Sequence, residues 1–381
     1  MIPTYEIRLK DQAGGIVARF HGGGRGLTGG GLQRFSYQKE VREPGPHSLV
    51  LQGDDERIDL FELDGQVEFW RNDLVWGSGW YLDYEGFHRY PEFTLDDQGR
   101  EVFIARGVGY NCLLASDTIQ YAAGSAQCCK TMACETAAKE FVDENIGPGA
   151  GLDALGNSRV RLGLAVQADA ATGAVWDGCR AYKNLLDILI ELADYAPADF
   201  MVVGTGPATF EFQWAADQWG DDHTFGSADP TVFSARLGNV DGMTQGFNRI
   251  DEVNIVNVLG SGLAAARTIE TRQNAALLAG SPWARRAVAR DARDTDVVAR
   301  LQARGDAVLN EQEPKRDLSF GVLQTIATRY GRDWDLGDLV SVEYRGWRVD
   351  VKVTAVTVSM ASDGAETIIP TVEAVSDPVA V

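Results

Sequence analysis

The chain has 381 residues, enough for two or three domains, because a single core stops growing near ~250–300 residues. Its 35 Lys and Arg face 55 Asp and Glu, a formal net charge of −20, which disfavours gripping nucleic-acid phosphates or docking on an anionic bilayer. With 45 % hydrophobic and 24 % charged residues and 42 glycines, the composition excludes a collagen, a coiled coil and wholesale disorder, and no run reaches the ~20 apolar residues of a spanning helix.

The N-terminus lacks a basic stretch followed by an apolar run, so no signal peptide is expected. Residues 1–118 then read as strands. Tyr5, Ile7 and Leu9 alternate with Glu6, Arg8 and Lys10, as on a half-buried strand. Similar runs follow at Gly15–Phe20, Leu32–Val41, His47–Gln52, Ile58–Leu63, Gln66–Arg71, Gly79–Phe87 and Glu101–Gly107. Turn residues separate them, among them Gly14-Gly15, Asp64-Gly65 and Asp96–Gly99, the punctuation of a small antiparallel barrel or sandwich.

Residues 119–235 change character. Cys129, Met132, Ala133, Ala137 and Phe141 recur at helical spacing and predict a helix over Gly124–Ile146. A second helix is predicted from about Trp176 to Tyr195, with Leu185, Leu189 and Leu192 on one face and Pro197 at its exit. Two strands follow, Phe200–Val203 and Thr209–Trp214. Residues 236–381 return to strands at Ile250–Leu259, Leu339–Tyr344, Arg348–Ser359 and Glu366–Glu373. A long surface helix is predicted to interrupt them at about 281–310, with Ser281 as N-cap and Pro282 at the first helical position. The expected fold is α+β, mainly β: barrel-like domains at 1–118 and 236–381 around an α+β insertion at 119–235.

The five cysteines are Cys112, Cys128, Cys129, Cys134 and Cys179, an odd number expected to stay reduced and structural. The run Gly22–Gly31 fits G-x-G-x-x-G at Gly24, Gly26 and Gly29, but a strand pattern follows it instead of the helix a dinucleotide site needs. His21–Gly24 resembles an esterase oxyanion segment, yet no G-x-S-x-G occurs. The histidines His21, His47, His88 and His223 are scattered, and no C-x-x-C or H-x-x-x-H is present, so no metal or cofactor site is expected. Asp221-Asp222-His223 reads as a solvated loop. Nine tryptophans, among them Trp76, Trp80, Trp214 and Trp219, read as packing residues, with a sugar-binding cleft as the sharper alternative. No catalytic residue is nominated.

Three stretches together resemble one family. The first is Gln66–Gly86 continuing through Gly99–Leu114, where Leu113-Leu114 is followed by Ala115-Ser116-Asp117 instead of the family's Arg. The second is Asp294–Leu309, similar to an L-x-x-R-G-x-x-x-L helix. The third and most specific is Tyr330–Val342, which reads Y-G-x-D-x-D-L-G-D-x-V-x-V through Asp333, Asp335, Leu336, Gly337 and Asp338. These resemble the tail-hub proteins of siphophages, relatives of contractile-phage baseplate hubs and of the late-control protein D group.

The resemblance implies a structural virion protein at the distal end of the tail, assembled in the host cytoplasm. It implies a homotrimer whose two barrels per chain form a pseudo-sixfold ring, adapting a sixfold tube to a threefold tip. The implied partners are itself, the distal tail ring protein, the C-terminus of the tape-measure protein and a tip or fibre protein. Genomic DNA would pass without specific binding, and this chain alone would bind no membrane. Asp333, Asp335, Leu336, Gly337 and Asp338 would form the corner of the C-terminal barrel, with Gly337 in a backbone conformation closed to other residues. Leu113 and Leu114 would close the N-terminal barrel. Acidic excess would face the channel, since segments 1–120 and 241–381 carry net −7 and −4. The Gly22–Gly31 loop is expected to order against a partner. Two alternatives stand beside this: a carbohydrate-acting enzyme using paired carboxylates in a Trp-lined cleft, and a component of a phage-derived injection device.

Overall fold

The computed structural model describes residues 4–23, 31–72, 79–121, 124–293 and 295–380. The centre of the Gly-rich run, Trp76 and Asp294 lie outside the described residues. The fold is α+β and mainly β. The chain divides into two compact units: residues 1–243 with 320–381, and residues 244–319.

In the larger unit the first seven strands are β1 (Thr4–Lys10), β2 (Ile16–Gly23), β3 (Leu32–Glu40), β4 (Pro46–Gln52), β5 (Gln66–Asn72), β6 (Trp80–Leu95) and β7 (Glu101–Gly109). In β1 the alternation read from the sequence is the burial pattern: Tyr5, Ile7 and Leu9 are inside, and the polar residues between them are half-buried. Phe20, Phe35, Tyr37, Phe69 and Phe103 complete an aromatic core, with Tyr37 and Phe69 centroids 4.7 Å apart. Ile58–Leu63 is not a strand. It is one 3₁₀ turn, Ile58–Leu60, that carries Phe61 against Phe20 and Phe103.

After the short helix α1 (Cys112–Ala115) come β8 (Cys128–Ala133), α2 (Cys134–Asn145), β9 (Leu164–Val166), β10 (Val175–Arg180), α3 (Leu185–Tyr195), β11 (Ala198–Gly206) and β12 (Thr209–Ala216). Both predicted helices therefore begin later than the spacing suggested. The residues before them, β8 and β10, pair antiparallel with Cys129 opposite Cys179. Short apolar runs fit both periods, and cross-strand pairing decided the outcome. That pairing corrects the cysteine reading as well: Cys129 and Cys179 form a disulfide, while Cys112, Cys128 and Cys134 are free. Leu185, Leu189 and Leu192 face a core shared with Phe141, Trp176 and Phe212.

The chain continues through β13 (Asp222–His223), β14 (Val232–Ser234) and β15 (Val240–Asn248). The smaller unit holds β16 (Ile255–Leu259), β17 (Ile269–Gln273), the short helix α4 (Ala275–Ala279), β18 (Ala287–Asp291) and α5 (Val298–Glu311). The remaining strands are β19 (Lys315–Val322), which pairs with β15, then β20 (Leu339–Tyr344), β21 (Trp347–Met360), β22 (Glu366–Ala374) and the two-residue β23 (Val379–Ala380).

Strands from both ends of the chain build one sheet, in the order β13-β20-β21-β3-β4-β7-β6-β5-β1-β2. The described strands run to two open ends and do not form two separately closed barrels. The cause is the length of β21: 14 residues span about 46 Å, so one edge pairs first with β20 through Trp347–Lys352 and then with β3 through Ala355–Met360.

In the smaller unit β16 lies between β17 and β18, and α5 packs on Val256 and Val258 through Leu301. The helix predicted at about 281–310 is shortened to Val298–Glu311. Ser281 caps only a local turn, accepting from the Trp283 amide at 3.2 Å, and Ala287–Asp291 is drawn into a parallel pairing with β16. Gly305 inside α5 has a packing reason: a Cβ there would stand 3.1 Å from the Arg272 Cβ and the Val258 Cγ2.

Candidate functional site

The chemistry of the larger unit concentrates where its N-terminal strands meet the segment Arg329–Asp338. Strand alternation puts Tyr37 and Lys39 of β3 on one face. On β6 a β-bulge opposite Phe69 and Trp70 inserts Asp83 as an extra residue. The bulge turns the Asp83 carboxylate inward beside Tyr84 instead of letting the two alternate. Asp83 accepts from the Tyr37 hydroxyl, from the Tyr330 hydroxyl at 2.8 Å and from Lys39 Nζ at 3.0 Å. Lys39 also reaches Asp335 at 2.7 Å. Burial alone would raise the Asp83 pKa, but the Lys39 and Arg71 charges and the two tyrosine hydroxyls hold it below the ordinary value. Burial likewise opposes the charge on Lys39, and Asp335 and Asp83 more than offset it.

A second cation completes the network. Arg71 on β5 is almost fully buried. It donates to the Tyr5 hydroxyl at 3.0 Å, to Glu366 at 3.2 Å, to the Tyr81 hydroxyl at 2.8 Å and to the Tyr330 carbonyl at 3.2 Å. Tyr5 also donates to Glu366. Residues separated by up to 361 positions are thus tied together without an unpaired buried charge.

The corner Asp333–Asp338 lies against this network. Asp333 accepts from the Arg329 amide at 2.7 Å and pairs with Arg332. Trp334 packs against Tyr330 and Phe233. Leu336 is buried. Gly337 has φ +86°, and a Cβ on it would stand 2.6 Å from the Gly220 nitrogen and the Trp219 Cβ. Asp338 clamps two chain segments, accepting from the Asp221 amide at 2.7 Å and the Asp335 amide at 2.6 Å, and burial raises its carboxyl above the ordinary range. The corner enters β20 through these bonds. Leu113 and Leu114 sit elsewhere: α1 places Leu114 in the core beneath α2 and α3, with Leu113 packed against that core.

A groove of about 470 Å³ opens beside the corner, lined by Lys39, Glu40, Glu43, Glu85, Trp219 and Asp338 among others. Burial raises the carboxyls of Glu40 and Glu85. Most of its acids hold structural bonds, Glu43 being the one without a side-chain partner among the described residues. Glu85 accepts the Gly204 amide, Glu40 the Gln38 side chain, and Asp83, Asp335 and Asp338 the bonds described above. Trp214 lies in the core and Trp80 is exposed at the start of β6, so only Trp219 of the described tryptophans named from the sequence lines the groove. Among the described residues no cluster of His, Cys, Asp and Glu could hold a metal ion, and no helix is long and apolar enough to cross a membrane.

A second buried network was also invisible in the sequence. Asp199 receives Lys352 Nζ at 2.7 Å, Arg42 Nε at 3.1 Å and the Trp219 amide at 2.9 Å. The signal that could have flagged Asp83 was its position in a run of aromatic strand residues, Tyr81-Leu82-Asp83-Tyr84. Nothing local marked Asp199, Arg71 or Glu366.

The architecture is similar to that of phage tail proteins. The 43 kDa tail protein of prophage MuSo2 from Shewanella oneidensis superposes with a TM-score of 0.60 at 12 % identity, over 97 % of this chain and 98 % of that one. The tail protein from Neisseria meningitidis MC58 gives 0.57 at 12 % identity, over 97 % and 96 %. A chain of the Francisella PdpA–VgrG complex gives 0.50 at 7 % identity, over 98 % of this chain and 52 % of that one. No curated protein sequence matches the chain. Residues 32–372 match the sequence model of the siphovirus ReqiPepy6 Gp37-like proteins, and the chain belongs to that family.

Proposed function

We propose that the chain is the hub at the distal tip of a siphophage tail, forming a trimeric ring that joins the sixfold tube to a threefold tip and lets DNA pass. The observation that carries this reading is the single sheet built from both ends of the chain and locked by the Asp83 and Arg71 networks. It gives each copy a rigid, strand-rich wall, as a ring that transmits force between tube and tip requires. Within it we assign the segments 1–118 and 236–381 as the two barrel-like ring modules and 119–235 as the inserted module. Asp333, Asp335, Leu336, Gly337 and Asp338 are the corner that sets the C-terminal module, and Leu113 and Leu114 tie the first module to the inserted one.

The partners on this reading are two further copies, the distal tail ring protein, the tape-measure C-terminus and a tip or fibre protein. The acidic excess of the wall repels passing phosphates. Asp83, Glu85, Asp335 and Asp338 of the groove hold structural bonds, which favours a wall over a glycosidase cleft. Electron microscopy of the assembled particle tests the reading: three copies in a ring at the distal tail end are expected. A ring elsewhere in the particle, or a lumen that is neutral or basic, would overturn it. Hydrolysis of cell-wall glycans by the purified chain, lost on removal of groove carboxylates, would establish the enzymatic alternative instead.

A further inference from the structure

The charge of this molecule is segregated. Residues 244–319 carry 11 basic and 10 acidic residues, net +1, while the rest of the chain carries 24 basic and 45 acidic, net −21. Within the smaller unit the basic residues concentrate on one segment, Trp283–Arg293, with four arginines and one acid. Its strand, β18, is an outer strand of the β17-β16-β18 sheet, so one backbone edge is unpaired among the described strands.

At the head of that strand stands Trp283, 86 % exposed. Its exposure is not a frayed loop. The fully buried Asn254 grips the segment that follows Trp283, donating to the Ala284 carbonyl at 2.5 Å and accepting from the Arg286 amide at 2.9 Å, while the Trp283 amide itself donates to the Ser281 hydroxyl at 3.2 Å. The Asn254 amide also donates to the Arg286 carbonyl at 3.1 Å. Arg285 and Arg290, both exposed, have no ion pair among the described residues. An exposed indole and two unpaired guanidinium groups, carried on one anchored segment with a free strand edge, have the make-up of an interface hot spot.

We propose that Trp283, Arg285, Arg290 and the free edge of β18 form a docking surface for the acidic larger unit of a second copy of this chain. This rests on the hub reading and names one of its contacts. Charge complementarity selects the occupant: the partner surface must be acidic, and the larger unit at net −21 is acidic. The contact is heterologous, one patch against a different patch, which is the kind of interface that closes a threefold ring.

The test replaces Trp283 with photo-crosslinking p-benzoylphenylalanine in assembled tails built from mixed light and heavy isotope-labelled copies. Expected are light–heavy adducts between position 283 and residues within 1–243 or 320–381. Adducts confined to DNA, to another tail protein or to the same copy, or no adducts, overturn the proposal. In parallel, the Arg285→Glu/Arg290→Glu variant is expected to enter particles at least tenfold less than wild type, with Arg285→Lys/Arg290→Lys close to wild type. Circular dichroism of each variant checks that it folds. A wild-type particle lacking a ring of this chain sinks the hub reading. A ring that forms equally well with the glutamate variant sinks only this contact.

Discussion

The two units of the chain solve stability differently. The larger one buries charge. Asp83, Lys39, Arg71, Glu366, Asp199 and Lys352 lie inside it, each paired, and together they tie strands from both ends of the sequence. The smaller one buries a few aliphatic side chains, Val256, Val258 and Leu301 foremost, with Glu252 as a buried acid paired to Arg249, and leaves most of its charge outside, as in the exposed pair of Arg293 with Asp291. Buried pairs add little net stability over apolar packing, but they punish wrong pairings, because a misregistered strand strands a charge in a low dielectric. A wall whose strands come from distant parts of the chain gains from that selectivity. A small local α/β unit does not need it.

That contrast can be broken most severely at Gly337. Gly337→Val adds a branched side chain at φ +86° within 2.6 Å of backbone, and the larger unit is expected not to reach its native state. Soluble, cooperatively unfolding protein with native near-ultraviolet circular dichroism would overturn this. Next in size is Asp83→Ala, which removes the shared acceptor of the Tyr37 and Tyr330 hydroxyls and leaves Lys39 with Asp335 alone. Chemical denaturation should show a loss of about 3–5 kcal/mol, with hydrogen exchange in residues 244–319 little changed.

Acid should separate the units as well. All four histidines lie outside residues 244–319. His47 and His88 are buried, and burial pushes their pKa values down to about 3 and about 4. Because these folded values lie below the unfolded value of ~6.5, their stability contribution is full above that pH and is lost as pH falls. Each histidine should cost about 2 kcal/mol by pH 5, and His88→Phe should flatten that slope. Exchange rates of the smaller unit that rise in step with the larger would break the distinction. The smallest effect is expected for Arg293→Ala, which removes an exposed pair. Its thermal midpoint should move by less than the equivalent of about 1 kcal/mol.

Much of this was legible beforehand. The β1 alternation, the α3 leucine face, the strands at Leu339–Tyr344 and Glu366–Glu373 and the family signature at Tyr330–Val342 all rest on local spacing. The three misread helices share one cause. Gly124–Ile146, Trp176–Tyr195 and 281–310 each contain a strand ahead of a helix, and in each the strand exists because a distant strand pairs with it. The disulfide follows from the same pairing, since no spacing rule joins residues 50 positions apart.

The sequence alone determined the strand-rich character, the acidic balance and the absence of a local catalytic motif. These depend on composition and on neighbours within a few residues. Tertiary structure decided that both ends of the chain share one sheet, that a bulge turns Asp83 inward to meet Tyr330, and that Arg71 meets Glu366. It also decided that the one non-acidic unit leaves the Trp283 indole exposed on its arginine-rich segment. Side-chain partners hundreds of positions apart are chosen by packing in three dimensions, and a linear pattern carries no record of that choice.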